Sequence, residues 1–431
     1  MIRTSAFVLG LTLFSITSRC SADWPAFLGG VERDQQSVVL PVTWGPSENV
    51  VWKSPLPGHG QSSPVVVGDL VYVTAIEGPN KDQNIVLCFD LATGQEKWRH
   101  SFENPMPLKN DPYTSRAAPS PVADKDGVYA FFESGDLLAF TKTGEVRWER
   151  NLASSYGEIK GRFGLGGSVA QVDGKLFVLA DNEGPSYLVC IDKASGEEIW
   201  KADRKSRVAW SSPMILNVAG KPQVVVSSAG PVQGYSVADG SLLWELDGVG
   251  GNTVASPLSF GDGLFLVGAS PGRRGENSEG AKKSNMAVKV TENAGGYQAE
   301  VLWRNEDATS SFGSPIVYQG KAYYVNRAGV VYCMDASTGE KVFYSRIAES
   351  TWATAVGSGE HVYFFGQTGD TTVLKTGDEF NKVSVNRLYE KSADGGGPGG
   401  FNAEIQYGVA LCDKGLLVRT GENLYLVAAA K

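Results

Sequence analysis

The side chains able to do chemistry in this chain are few and scattered. Its only histidines are His59, His100 and His361, and none has a second ligand at the short spacing a metal ion requires. DKDG, residues 124–127, opens like a calcium loop, but the twelfth position, where such a loop needs a bidentate glutamate, is Gly135. It reads instead as a hairpin turn. GRFGLGGS, residues 161–168, is glycine-rich and carries an arginine, yet it lacks a phosphate-binding lysine and no helical pattern follows it. No G-x-S-x-G turn and no kinase catalytic signature occurs, so acyl and phosphoryl transfer have no support.

What remains is a set of aromatic and polar residues standing just ahead of apolar runs. They are His59 and Gln61, Arg116, Arg162 and Phe163, Trp210, Asn252, Phe312, Trp352, and Gln406 with Tyr407. If those runs converge on one axis, the set shares one face. Aromatic rings and arginines dominate binding hot spots, so the face could grip a peptide strand, a glycan or a small ligand. Trp210 and Trp352 would be the stacking platforms, with Arg116 and Arg162 for a carboxylate or sulfate. The competing reading is that the same side chains plug the centre of the fold and hydrogen-bond one another.

The elements that would position them repeat. LCFDLATGQEKW (87–98) returns as LVCIDKASGEEIW (188–200) and as VYCMDASTGEKVF (331–343). Aromatic residues closing equivalent segments fall at Trp52, Trp98, Trp148, Trp200, Trp244, Trp303 and Phe343, at intervals of 46, 50, 52, 44, 59 and 40 residues. Such a period belongs to a repeat architecture. Within each unit a Ser-Pro or other small-residue start leads into two apolar runs around a glycine turn, as in SSPVVVGDLVYVT (62–74), which makes a β-hairpin. A third run, a turn and a fourth run ending in the aromatic complete four strands, the content of a propeller blade. In the third turn Asp90, Asp192 or Asp335 can accept backbone N–H groups, and Gly94, Gly196 or Gly339 tolerates positive φ.

DLATGQEKW, DKASGEEIW and DASTGEKVF resemble the tryptophan-docking repeat of the pyrroloquinoline-quinone (PQQ) repeat family, and the likeness extends over most of residues 24–428. The resemblance implies an all-β, eight-bladed propeller of four-stranded antiparallel blades. Closing strands end near Trp52, Trp98, Trp148, Trp200, Trp244, Trp303, Phe343 and Leu388, and the last three C-terminal runs lack a fourth strand, which residues 49–53 would supply. VADGSLLW, the bare EVLW of the fifth unit and TTVLKTGDEF of the seventh depart from the pattern. The family includes quinoprotein dehydrogenases, which would bring PQQ, a calcium site of Glu, Asn and Asp, an Asp base and adjacent cysteines; no cysteines are adjacent here and no haem-binding C-x-x-C-H occurs. The non-enzymatic members are the closer match, in particular an exported propeller similar to the lipoprotein of the outer-membrane assembly machinery. That implies a protein partner in the cell envelope and no cofactor. A quinoprotein dehydrogenase and a carbohydrate-binding propeller stand as alternatives.

Bulk properties fit export. Residues 6–16 form an apolar run behind Arg3, and Cys-Ser-Ala precedes Asp23, which reads as a signal peptide over residues 1–22 followed by a single domain over residues 23–431. Arg19 ahead of Cys20 disfavours lipid anchoring, because that position is normally small. The formal charge of -8 becomes about -10 without Arg3 and Arg19, a balance that disfavours nucleic acid and anionic lipid. Cys88, Cys190 and Cys333 share one repeat position in nonadjacent blades, too far apart for disulfides, and read as buried thiols. DWPAFLGG (23–30) would cover the underside of the ring with Trp24 and Phe27. Residues 271–285 and 390–402 read as surface loops.

Overall fold

The structure is a computed structural model that describes residues 23–30, 38–111, 114–390 and 404–429. The expected signal peptide and residues 391–402 of the glycine-dense stretch lie outside the described residues. The repeats form eight antiparallel four-stranded sheets, each built from consecutive strands except the last. Blade one, for example, consists of Val65–Val67, Leu70–Glu77, Gln83–Asp90 and Glu96–Glu103 from axis to rim. Blade eight takes Gln406–Cys412, Gly415–Thr420 and Asn423–Val427 from the C-terminal end and its rim strand, Val50–Pro55, from the N-terminal side. Trp52 pairs with Leu426 and Pro55 with Asn423, and the register slips between Val50 and Trp52, so Val51 bulges outward and is 54% exposed. Closure thus follows the expected seam, with a bulge at its start.

Each sheet buries both faces because a neighbouring sheet lies against it. Between blades one and two, Tyr72, Val86 and Cys88 pack on Val128, Leu138 and Phe140, and comparable layers recur around the ring. The middle strands accordingly read as continuous apolar runs, whereas rim strands alternate, as the burial of Glu96–Glu103 shows. Among the described residues the core is divided into clusters that follow the seams, the largest of which joins the seams on both sides of blade eight.

The repeated turn explains the opening motif physically. Asp90 Oδ1 accepts the N–H groups of Ala92 and Thr93, both at 3.0 Å, and Asp192 does the same for Ala194 and Ser195 at 2.9 and 2.8 Å. That fixes the turn and presents its glycine, at φ +68° for Gly94 and +77° for Gly196, to the preceding blade. An indole lies flat against each glycine: Trp52 on Gly94, Trp98 on Gly144, Trp148 on Gly196, Trp200 on Gly240 and Trp303 on Gly339. Its N–H donates to a carbonyl of the same turn, at Leu91, Lys142, Lys193, Val237 and Ala336, over 2.8–3.1 Å. Each tryptophan therefore ties its own blade to the next one. Trp52 makes this contact across the closing seam.

Two positions differ for identifiable reasons. Trp244 donates instead to Gln223 Oε1 of its own blade at 2.7 Å, because blade five joins its outer strands by the long hairpin Met286–Asn293 to Gly296–Arg304 and offers no glycine turn there. Phe343 has no N–H to donate and packs on Phe380, ring centroids 5.7 Å apart. Ahead of the first blade, residues 38–44 run beneath blade seven, where Val38, Leu40 and Trp44 are buried and Val42 O accepts from Asn386 Nδ2 at 2.9 Å.

Two outcomes follow. Gly196→Ala combines a strained φ with a Cβ 2.7 Å from Trp148, whereas Gly220→Ala, at φ +76°, meets nothing within 4 Å. Denaturant unfolding should show a loss of about 1–2 kcal/mol for Gly220→Ala and roughly 1–3 kcal/mol more for Gly196→Ala; equal losses would remove the indole contact from the account. Burial pushes the Cys88, Cys190 and Cys333 thiols up to about 12 and that of Cys412 to about 11, and all four are free. They should resist maleimide at pH 8 in the native protein and react once it is denatured, as mass spectrometry would read.

Candidate functional site

The start of each innermost strand sets the inner wall of the ring. Seven blades place a hydroxyl there, Ser63, Ser120, Ser168, Ser212, Ser256, Ser314 and Thr354, and the eighth places Gly408. Ser63 N–H donates to Ser120 Oγ at 2.8 Å, Ser120 to Ser168 at 2.9 Å, Ser168 to Ser212 at 2.9 Å, Ser212 to Ser256 at 2.8 Å and Ser256 to Ser314 at 3.0 Å. Ser314 N–H closes the series on Thr354 Oγ1 at 2.9 Å. This belt is why the sequence repeats a Ser-Pro start. At Gly408 a Cβ would meet Ser63 Oγ at 2.3 Å, so glycine lets the last blade approach the first.

Inside the belt lies an axial cavity of about 450 Å³. Trp24, Phe27 and Leu28 form its floor, held there by Trp24 pairing with Val66 and by Pro25 O accepting from Ala123 N at 2.9 Å. The N-terminal segment thus closes the ring from beneath. At the opposite end the rim carries Gln61, Phe163, Trp210, Phe312, Trp352 and Tyr407, six of the residues singled out from the sequence. Gln61, Trp210, Phe312 and Trp352 stand two positions before the belt residue of their blade. A spacing of two keeps side chains on one face of an extended segment.

The rings satisfy one another without filling the cavity. Phe312 and Trp352 stack with centroids 4.4 Å apart and planes 7° from parallel, Tyr407 stands perpendicular to Trp352 at 5.7 Å, and Arg327 lies over Phe312 at 5.4 Å. Across the mouth, Phe163 meets Trp210 edge-on at 5.9 Å, and Trp210 Nε1 donates to Gly164 O at 2.9 Å. The arrangement is a lined rim rather than a plug, and the two tryptophans are already engaged rather than bare platforms.

The remaining sequence candidates take other places. Arg116 is buried and donates to Tyr407 OH at 3.2 Å, while Gln61 Oε1 accepts from its backbone N–H at 3.0 Å. Arg162 is exposed over Phe163 and does not reach the wall. Asn252 is fully buried as a clamp, donating to Ser227 Oγ and Gly230 O, both at 2.9 Å. Gln406 is equally buried and donates to Gly366 O at 2.7 Å. His59 sits behind Tyr407, its ring 5.8 Å away, with burial first and then the charges of Arg116 and Arg419 lowering it to about 3. Proximity in sequence to an innermost strand fixed which blade end a residue occupies, and burial decided the rest.

Arg419, Arg273 and Arg327 escaped the sequence reading. Arg419 is fully buried in blade eight, donates to Ser62 O at 3.1 Å and to Ser62 Oγ, and is lowered to about 9 by burial; no described carboxylate lies within 4 Å of it. Among the described residues, Arg273 and Arg327 are the only charged side chains on the cavity wall. Arg327 belongs to the turn between the second and third strands of blade six, a loop class on the same face as the strand entries. Arg273 lies in the stretch 271–285, expected as a surface loop and exposed over residues 272–277; within it the short helix Ser278–Lys282 provides an anchor, with Ala281 buried and Ser284 Oγ accepting from Gly250 N at 2.9 Å.

The sequence pattern described as outer membrane protein assembly factor BamB, a PQQ-repeat type, matches residues 42–162 and 155–375. The chain belongs to this family. It is 27% identical over 225 residues to a BamB of Burkholderia pseudomallei, covering 52% of this chain and 54% of that protein. A BamB of Alkalilimnicola ehrlichii is 26% identical over 222 residues, 49% of each. The chain therefore matches about half the length of these relatives. Among solved structures, BamB from Moraxella catarrhalis aligns over 88% of this chain and 99% of its own with a TM-score of 0.61 at 12% identity. Quinohemoprotein alcohol dehydrogenase from Comamonas testosteroni aligns over 95% and 81% with a TM-score of 0.57 at 12% identity. At that identity both likenesses concern the fold.

The wall also bears on the quinone alternative. Among the described residues it carries no Asp, Glu, His or Cys side chain, and calcium takes oxygen ligands dominated by carboxylates. The residues present do not fit a calcium-held quinone. His59 supplies a measurable consequence of the site's electrostatics. Its 18% exposed ring stays neutral in the folded state where an unfolded histidine, at 6.5, takes up a proton. The unfolded state therefore binds more protons between about pH 6.5 and 3, and stability falls as pH drops through that window. His59→Asn should flatten this acid limb, which has a slope of at most about 1.4 kcal/mol per pH unit from this group; unfolding midpoints at pH 7 and 4 would show a smaller loss than in the parent.

Proposed function

We propose that this protein is an exported, non-catalytic propeller that presents the rim face of the ring to a protein partner in the cell envelope. The observation that carries the reading is the make-up of that face. Self-engaged aromatics and exposed arginines surround a wall that, among the described residues, carries no carboxylate, imidazole or thiol, only hydroxyls, amides and apolar groups beside the two arginines. A catalytic wall would need a group able to gain or lose a proton near neutral pH. Membership of a family described as an outer membrane protein assembly factor supports the same direction. So does the apolar leader with its small-residue cleavage spacing. No described helix is long and apolar enough to cross a membrane.

A photo-crosslinking amino acid installed at Arg162 or Arg273, both exposed on the rim face, should capture a discrete envelope protein. The same group at Lys125, 85% exposed in a hairpin turn at the opposite end of an innermost strand, should not. Equal capture from Lys125, or none from the rim, would remove the reading. PQQ with calcium should leave dye-linked alcohol oxidation at the level of the untreated protein, and PQQ-dependent turnover would restore the dehydrogenase alternative.

A further inference from the structure

The hydroxyl belt has a property that a purely structural ring does not need. A hydroxyl offers one donor and two lone pairs. From Ser120 round to Thr354, each belt oxygen spends a lone pair on the neighbouring blade's N–H, and none of these hydroxyls donates to a described residue. Their protons are left over on the inner wall of the cavity. Donors in that position call for acceptor atoms in the lumen. A sugar hydroxyl can both accept from this wall and donate to a remaining lone pair, but it brings no charge to meet the arginines at the mouth. A carboxylate or phosphate brings acceptors alone.

Charge and shape narrow the class further. The only charged wall residues among those described are Arg273 and Arg327, both at the mouth, and no described carboxylate lies within 4 Å of Arg327. Burial, then the neighbouring charge of Arg273, lowers Arg327. Two like charges facing one opening favour an anion between them. Below the belt the surface is apolar, with Trp24, Phe27 and Leu28 as its floor. The closed Phe312–Trp352 stack, at 4.4 Å, leaves no slot for a further ring between its members, so a guest enters past the rim rather than into it. A volume of about 450 Å³ is that of a small-molecule site.

From these observations we infer that the axial cavity binds a small amphiphilic oxyanion, a carboxylate or phosphate ester with an apolar body. Its body lies on the Trp24 floor, its acceptor oxygens take the belt hydroxyls, and its charge meets Arg273 and Arg327. The site lies inside the ring and stands independently of any partner on the rim.

The test uses the protein with decanoate, decyl phosphate, 2-naphthoate, neutral decanol and maltose, followed by tryptophan fluorescence and calorimetry. At least one oxyanion should bind one-to-one with Kd below about 1 mM, and about tenfold more tightly than decanol. The Arg273→Gln/Arg327→Gln variant, altered only at exposed positions, should keep the parent's melting temperature and bind that oxyanion about tenfold more weakly. Whichever of decanoate and decyl phosphate binds more tightly identifies the head group. Decanol binding as well as the oxyanions, indifference to the double variant, tighter binding of maltose, or no binding by any oxyanion would each overturn the inference.

Discussion

A four-stranded twisted sheet cannot bury both its faces alone, and eight of them can do so only if the first and last are sewn together. The seam made by Val50–Pro55 on Asn423–Val427 is therefore the constraint on which the rest depends. It does more than add hydrogen bonds. Trp52, carried by that strand, seals blade eight to the turn of blade one with the same indole contact used at other seams, and Gly408 removes the side chain that would hold the two blades apart. Once the ring is shut, the belt hydroxyls are forced to one level around an axis, and a cavity exists.

The seams work at two radii with different chemistry. At the rim, indoles grip glycine turns, combining apolar contact with one directed hydrogen bond; near the axis, serine hydroxyls accept N–H groups from the blade before. The inner bonds are short-range and uniform because the inner strands converge, which leaves room only for small side chains. The outer contacts vary because the blades splay, so Trp244 can depart from the pattern where the next blade lacks its glycine turn, and Phe343 where a ring without an N–H replaces the indole. A wide rim tolerates what a narrow axis does not. The same geometry explains why wall chemistry is sparse: small hydroxyls occupy the positions where larger titratable groups would otherwise reach the lumen.

Among the candidate residues, being on the rim face and lining the cavity proved to be separate properties. Gln61, Trp210, Phe312 and Trp352 precede their belt residue by two and so share its direction. Asn252 and Gln406 have amide side chains able to tie loop backbone together, and they do. Arg116 and Arg162 stand in the same class of loop, yet one turns inward onto Tyr407 and the other lies outward along Phe163. Nothing in their immediate sequence distinguishes them, because the partners that hold them are 291 residues away in one case and adjacent in the other.

The sequence by itself determined the blade count, the hairpins, the third-turn chemistry of Asp90, Asp192 and Asp335, the buried thiols and the closing strand, since each rests on local periodicity or on turn residues whose preferences hold in any context. Tertiary structure alone decided which blade each tryptophan touches, how Arg419 is buried without a described carboxylate, and that Arg273 and Arg327 meet at one opening. Those outcomes arise where loops from different blades converge. Convergence depends on the angle between sheets, a property of the closed ring that no single stretch of chain encodes.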